Sequence, residues 1–168
     1  KRTILFIGFA GEEFGLLGAQ AWVKAHKDKL PKIANLFNRD GGPEPPVGIS
    51  VPQAMYDDFV KISEPIQKIR PDYPFEVKVR EPRKRPTRMG GTDASVFAIE
   101  GVPTLGFTTE DFKGYDFDYG EIWHTERDLY TKNIPEYQEH TATVTAIIAL
   151  GVANLDKQLS REGLYTEE

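Results

Sequence analysis

The sequence predicts an α/β fold with a mixed, largely parallel sheet, and three observations point there. Ile4 to Ala10 is apolar at every position and too short for a helix, the pattern of a strand covered on both faces. A helical stripe and a second apolar run follow it, giving strand, helix, strand. A further segment, Phe75 to Val79, shows the period-two alternation of a strand wet on one face.

The elements follow in order. After Gly11-Glu12-Glu13, residues Phe14, Leu17, Ala21, Trp22 and Ala25 fall at helical spacing, and Lys24, Lys27 and Lys29 close the segment. Ile33 to Phe37 reads as the next strand and ends at Asn38-Arg39-Asp40 before the breaker Gly41-Gly42-Pro43. Val47 to Val51 is a short strand. Met55, Phe59, Ile62, Ile66 and Ile69 line one face of a helix that Pro65 should kink or interrupt. Phe75 to Val79 is an edge strand. Thr92-Asp93 offers caps for a short helix through Ile99, Val102 to Phe107 is a buried strand, and a turn-rich segment runs from Thr108 to Asp128. Pro135 to Leu159 forms the last helix. No internal repeat or linker divides the chain, so residues 1–168 read as one unit. The opening Lys1-Arg2-Thr3 suggests a piece of something longer.

Composition narrows the function. Against 21 basic residues stand 26 acidic ones, a net charge of −5 that gives no general reason to bind nucleic acid or an anionic membrane. The absence of cysteine excludes thiol catalysis, thiolate metal sites and disulfides. No apolar run reaches the roughly 18 to 20 residues that span a bilayer.

Ligands of open α/β sheets bind beyond the carboxyl ends of the strands, and three chemical features lie in such places. Glu12-Glu13 directly follows the first strand. Neighbouring side chains on extended backbone diverge, so one carboxylate can hold an ion while the other holds a water, although paired acids are also routine at helix starts. Asp40 ends the second strand, where Asp is also an ordinary turn residue. His124 lies late in the long loop, as a solvated side chain or as a metal ligand oriented by a neighbour such as Asp128. Glu, Asp and His together are the ligand types of catalytic zinc.

Phe9-Ala10-Gly11-Glu12-Glu13-Phe14-Gly15-Leu16-Leu17-Gly18, Asn38-Arg39-Asp40-Gly41-Gly42, Gly91-Thr92-Asp93 with Phe97 and Gly101-Val102-Pro103, and Trp123-His124-Thr125-Glu126-Arg127-Asp128 resemble the successive motifs of one family. It is the di-zinc exopeptidases, the aminopeptidases and carboxypeptidases related to plasma glutamate carboxypeptidase. The resemblance implies the C-terminal part of a catalytic domain with a zinc-exopeptidase, phosphorylase/hydrolase-like fold, a three-layer α/β sandwich whose N-terminal part lies outside this sequence. It implies two Zn2+ ions in the intact domain, a small peptide substrate, and export to the periplasm or cell exterior. It makes Glu12 the general base, Glu13 and His124 ligands of one zinc, and Asp40 a ligand of the other. Thr92 and Asp93 are not carried over as ligands and are read as helix caps.

The family site has two further ligands upstream, a His and a bridging Asp, and no His or Asp precedes Glu12. The expectation is therefore an active parent protein and little or no activity from these residues alone. Two other readings stay open: a glutaminyl-cyclase-like acyltransferase, and a non-catalytic peptidase-like binding domain. The basic stretch Arg80 to Arg88 reads as a solvated loop. The aromatic and acidic segment Glu110 to Glu121 reads as a pocket lining, with calcium a minor alternative, and His26 and His140 read as exposed helix residues without a role.

Overall fold

A computed structural model describes residues 1–166. Its elements are α1 (Leu17–Ala25), β1 (Pro46–Val51), α2 (Tyr56–Ile69), β2 (Glu76–Val79), α3 (Ala94–Ile99), β3 (Phe107–Thr109), α4 (Tyr119–Ile122) and α5 (Pro135–Asn154). The sheet has the order β2-β1-β3. β1 runs parallel to β2, with Ile49 opposite Val77, and antiparallel to β3, with Ile49 opposite Phe107. The predicted mixed α/β sheet is present, with β2 on its edge.

Two apolar cores hold the chain together. In the larger, Ile49 and Val51 of β1 pack with Phe59 and Ile66 of α2 and Val144, Ile148 and Val152 of α5. The smaller joins Ala19 and Val23 of α1 to Val96 and Phe97 of α3, with Leu30 and Val102, and Phe9, Ile33 and Leu36 pack against it. The smaller core matters for function, because Phe9 leads to Glu12 and Leu36 leads to Asp40.

Several expectations are corrected. Residues 4–9 form no strand, and Phe6 is 94% exposed, with Leu5 at 64%. Among the described residues no partner strand lies beside this run, so its apolar side chains other than Phe9 stay exposed. Helix α1 starts at Leu17 and turns Leu16, Ala19 and Val23 inward, leaving Phe14 and Leu17 on the surface. The stripe read from Phe14, Leu17, Ala21 and Ala25 is thus the outer face. Ile33 to Phe37 is extended and half-buried but carries no strand ladder. It is tied to the chain after α3 by Leu36 N–H donating to Pro103 O (2.9 Å) and by Asn35, whose amide donates to Leu105 O (3.2 Å) and accepts from Leu105 N–H (2.8 Å).

Pro65 does not interrupt α2, which continues to Ile69, and α5 stops at Asn154, not Leu159. The strand read over 102–107 is confined to 107–109. His140 is fully buried: its ring stacks on Tyr73 at 3.9 Å and Nε2 lies 3.0 Å from Pro46 O. His26 is half-buried against Trp22, with Nδ1 2.8 Å from Trp22 O. A histidine among apolar helix residues carries no sequence mark that separates a core position from a surface one.

Candidate functional site

Glu12 sits on a tight turn rather than at the start of a helix. Gly11 takes φ +71°, a left-handed conformation that a side chain resists. The turn closes when the N–H groups of Gly15 and Leu16 donate to Glu12 O at 3.0 and 2.8 Å, and Gly18 N–H donates to Ala10 O at 2.8 Å. Gly18 is required for that approach, since a Cβ there would stand 2.6 Å from the Ala10 nitrogen. The result is a half-buried Glu12 beside an exposed Glu13.

Asp40 is held by its neighbour. The Arg39 guanidinium donates to the carbonyls of Gly41 (3.1 Å), Gly42 (2.6 Å) and Glu44 (2.5 Å), wrapping the turn that follows the carboxylate. Gly42 has φ +60° and lies under the Phe117 ring. Arg39 escaped sequence reading, because a single Arg beside a turn carries no signal of the carbonyls it will meet.

His124 comes from the far end of the chain, at φ +57°, just after α4. Asp118 caps α4 by accepting from Gly120 N–H (2.8 Å), and Thr125 Oγ1 donates to Glu121 O (2.8 Å), fixing the turn on both sides of the imidazole. Trp123 stacks on the ring at 4.5 Å. Across 111 positions of sequence, His124 Nε2 lies 2.9 Å from Oε1 and 2.9 Å from Oε2 of Glu13. No hydrogen bond joins Asp128 to His124 among the described residues, so the orienting role read for Asp128 is not seen.

The other groups share one electrostatic neighbourhood. Partial burial raises the Glu12 carboxyl above the usual range, and the charges of Asp40, Glu13 and Asp93 raise it further, against an opposing effect of His124. Asp93 is also raised, first by burial and then by Asp40. Sequence reading gave Asp93 the job of capping α3, but its side chain makes no cap hydrogen bond. A carboxylate made more basic by its surroundings is better matched to accepting a proton near neutrality.

The donors suit zinc in kind, and one pair suits it in spacing. Two ligands of a tetrahedral zinc, each about 2.1 Å from the metal, stand roughly 3.4 Å apart, so Glu13 and His124, now 2.9 Å apart, need separate by only about half an ångström to admit an ion. They do not make a closed site: among the described residues no three His, Cys, Asp or Glu side chains gather closely enough to hold one ion. An open cleft of about 390 Å³ adjoins both loops, lined by Gly42, Pro43, Ile122, Asp128, Tyr130 and Lys132 among others. That volume accommodates an amino-acid side chain.

Fold and site together define a class: an α/β protein whose loops bring Glu13 to His124, with Glu12, Asp40 and Asp93 sharing their electrostatic neighbourhood. Comparison then places it. The sequence matches Peptidase family M28 over residues 1–148, and the chain belongs to that family. It is 24% identical over 166 residues to carboxypeptidase Q of Mus musculus, covering 96% of this chain and 31% of the relative. Carboxypeptidase Q of Xenopus laevis is likewise 24% identical over the same shares. Among solved structures, a Peptidase M28 precursor from Shewanella amazonensis SB2B superimposes with TM-score 0.66 at 25% identity, over 90% of this chain and 31% of that one. An aminopeptidase from Aneurinibacillus sp. strain AM-1 shares the fold, with TM-score 0.52 at 16% identity, over 92% of this chain and 34% of its own. The chain spans about a third of the length of the relatives it matches. The expected peptidase relationship is thereby established.

Proposed function

We propose that these residues form part of the active site of a zinc-dependent exopeptidase that hydrolyses small peptides, with Glu12 as general base. The observation that carries the reading is the meeting of Glu13 and His124 at 2.9 Å across 111 positions of sequence. Both side chains are exposed, so burial does not account for that meeting. Glu13 and His124 would hold one Zn2+ and Asp40 the other. Bound zinc lowers the pKa of water toward ~7 and polarises a carbonyl. Glu12, next to Glu13 but outside the pair, takes the proton from the attacking water and passes it to the leaving amine. The cleft lined by Gly42, Pro43, Ile122 and Asp128, on the loops that carry Asp40 and His124, receives a side chain of the peptide.

Within the proposal, the whole protein supplies the upstream His and bridging Asp, and this chain alone binds zinc weakly and hydrolyses little. The resemblance to exported peptidases supports a periplasmic or extracellular location, and no described helix is long and apolar enough to cross a membrane.

The test uses a protein extended to the length of its relatives. Glu12→Gln should keep its zinc and lose on the order of 10²-fold or more in kcat, whereas His124→Ala should lose zinc as well. Near-normal turnover by Glu12→Gln would remove the general-base assignment.

A further inference from the structure

One carboxylate of the acid cluster stands apart from the rest. Asp93 is only 7% exposed, and its Oδ1 has no hydrogen-bond partner among the described residues. Buried acceptors are ordinarily satisfied, and leaving a carboxylate unpaired costs stability. Its obvious local use, capping α3, is not taken. Backbone alone closes that turn, with Ser95 N–H donating to Thr92 O (3.0 Å) and Val96 N–H to Asp93 O (3.2 Å).

The packing fixes where this charge sits. Phe97 of α3 meets Phe9 at 5.7 Å between ring centres, on the segment that runs into Glu12. The same small core takes in Leu36, on the segment that ends at Asp40, and Leu36 N–H is bonded to Pro103 O just beyond α3. The three carboxylates therefore hang from one packed unit, and Asp93 lies within the field of both Asp40 and Glu12. Such an arrangement is unfavourable in the bare chain and becomes favourable when a cation enters it.

We propose that Asp93 is a further residue of this site, a buried carboxylate whose charge and open acceptor strengthen divalent-cation binding beside Asp40. This rests on the reading that Glu13, Asp40 and His124 hold metal, and the test separates the two. Zinc is titrated calorimetrically into the protein extended to the length of its relatives and into its Asp93→Asn, Asp93→Glu, His124→Ala and, as an exposed-acid control, Asp57→Asn variants. The metal-free melting temperature of each is measured alongside. Asp93→Asn should bind zinc at least threefold more weakly yet melt higher without metal, because a repelled charge has been removed. Asp93→Glu should recover part of the affinity, and Asp57→Asn should match the unaltered chain.

A side chain with a purely structural role would lower the melting temperature instead. An Asp93→Asn variant that melts lower, fails to fold, or binds zinc as tightly as the unaltered chain overturns the proposal. If that unchanged affinity accompanies weakened binding by His124→Ala, Asp93 alone is refuted. If His124→Ala also binds normally, or the unaltered extended protein takes up no zinc, the metal reading fails with it.

Discussion

His140 shows how far a single residue can depart from its sequence context. It lies in the core against Tyr73, and its Nδ1 finds no partner among the described residues. Burial holds the imidazole below its ordinary pKa, an effect only partly offset by the Pro46 carbonyl. The folded state thus resists a proton that the unfolded chain accepts near pH 6.5. Stability is complete above that value and falls as pH drops toward the folded pKa. Nearby, Asp111 accepts from Tyr137 Oη (2.6 Å), Lys113 Nζ reaches Asp72 and Glu136, and all three carboxyls sit below their usual range. Their stabilising effect is lost only at more acid pH, through the carboxylate range. Urea midpoints should therefore be flat above pH 7 and decline below about 6.5. In His140→Gln, less stable by about 1–3 kcal/mol at pH 7, the decline should begin only in the carboxylate range. A decline starting at 6.5 in the variant as well would assign it to another group. At this scale Glu12, Glu13, Asp40 and His124 were singled out by the motifs they stand in. Asp93 stands in a motif too but was read as a cap, and Arg39 was passed over, because burial and carbonyl partners are products of the fold.

At the level of elements, the turn between Ala10 and Gly18 is sensitive to substitution. Alanine in place of glycine favours a helix by about 1 kcal/mol, but at position 18 its Cβ would lie 2.6 Å from the Ala10 backbone. Displacing main chain outweighs the propensity, so Gly18→Ala should lower stability by about 1–3 kcal/mol, measured by chemical denaturation. It should weaken zinc binding too, since Glu12 and Glu13 lie inside the displaced turn. Arg39→Ala releases three carbonyls behind Asp40. An expected loss of about 1–2 kcal/mol should come with weaker zinc binding, and unchanged values for both would separate Arg39 from the site. The amphipathic period located α2, and alternation located β2, because these elements pack on one face. Helix α1 was found but turned the wrong way, since its apolar residues outnumber those the small core receives.

Over the whole molecule, the apolar run Ile4 to Ala10 is the main divergence between sequence and fold. Its composition is that of a central strand, yet among described residues 3–9 no backbone-to-backbone hydrogen bond is made. Hydrogen exchange should find amides 4–9 almost unprotected while those of β1 are strongly protected. Strong protection of 4–9 in the isolated chain would contradict the open edge. The α/β class, the order of the site segments and the exopeptidase resemblance were legible because each motif is local. The incomplete sheet was not, because strand pairing depends on neighbours a local pattern cannot name. The central claim is that Glu13 and His124, brought together across 111 positions of sequence, share a metal ion. An anomalous difference map at the zinc edge from zinc-loaded crystals tests it directly. The predicted result is a peak about 2.0–2.2 Å from both a Glu13 oxygen and His124 Nε2. Zinc bound elsewhere, with Glu13 and His124 still in direct contact, would contradict it.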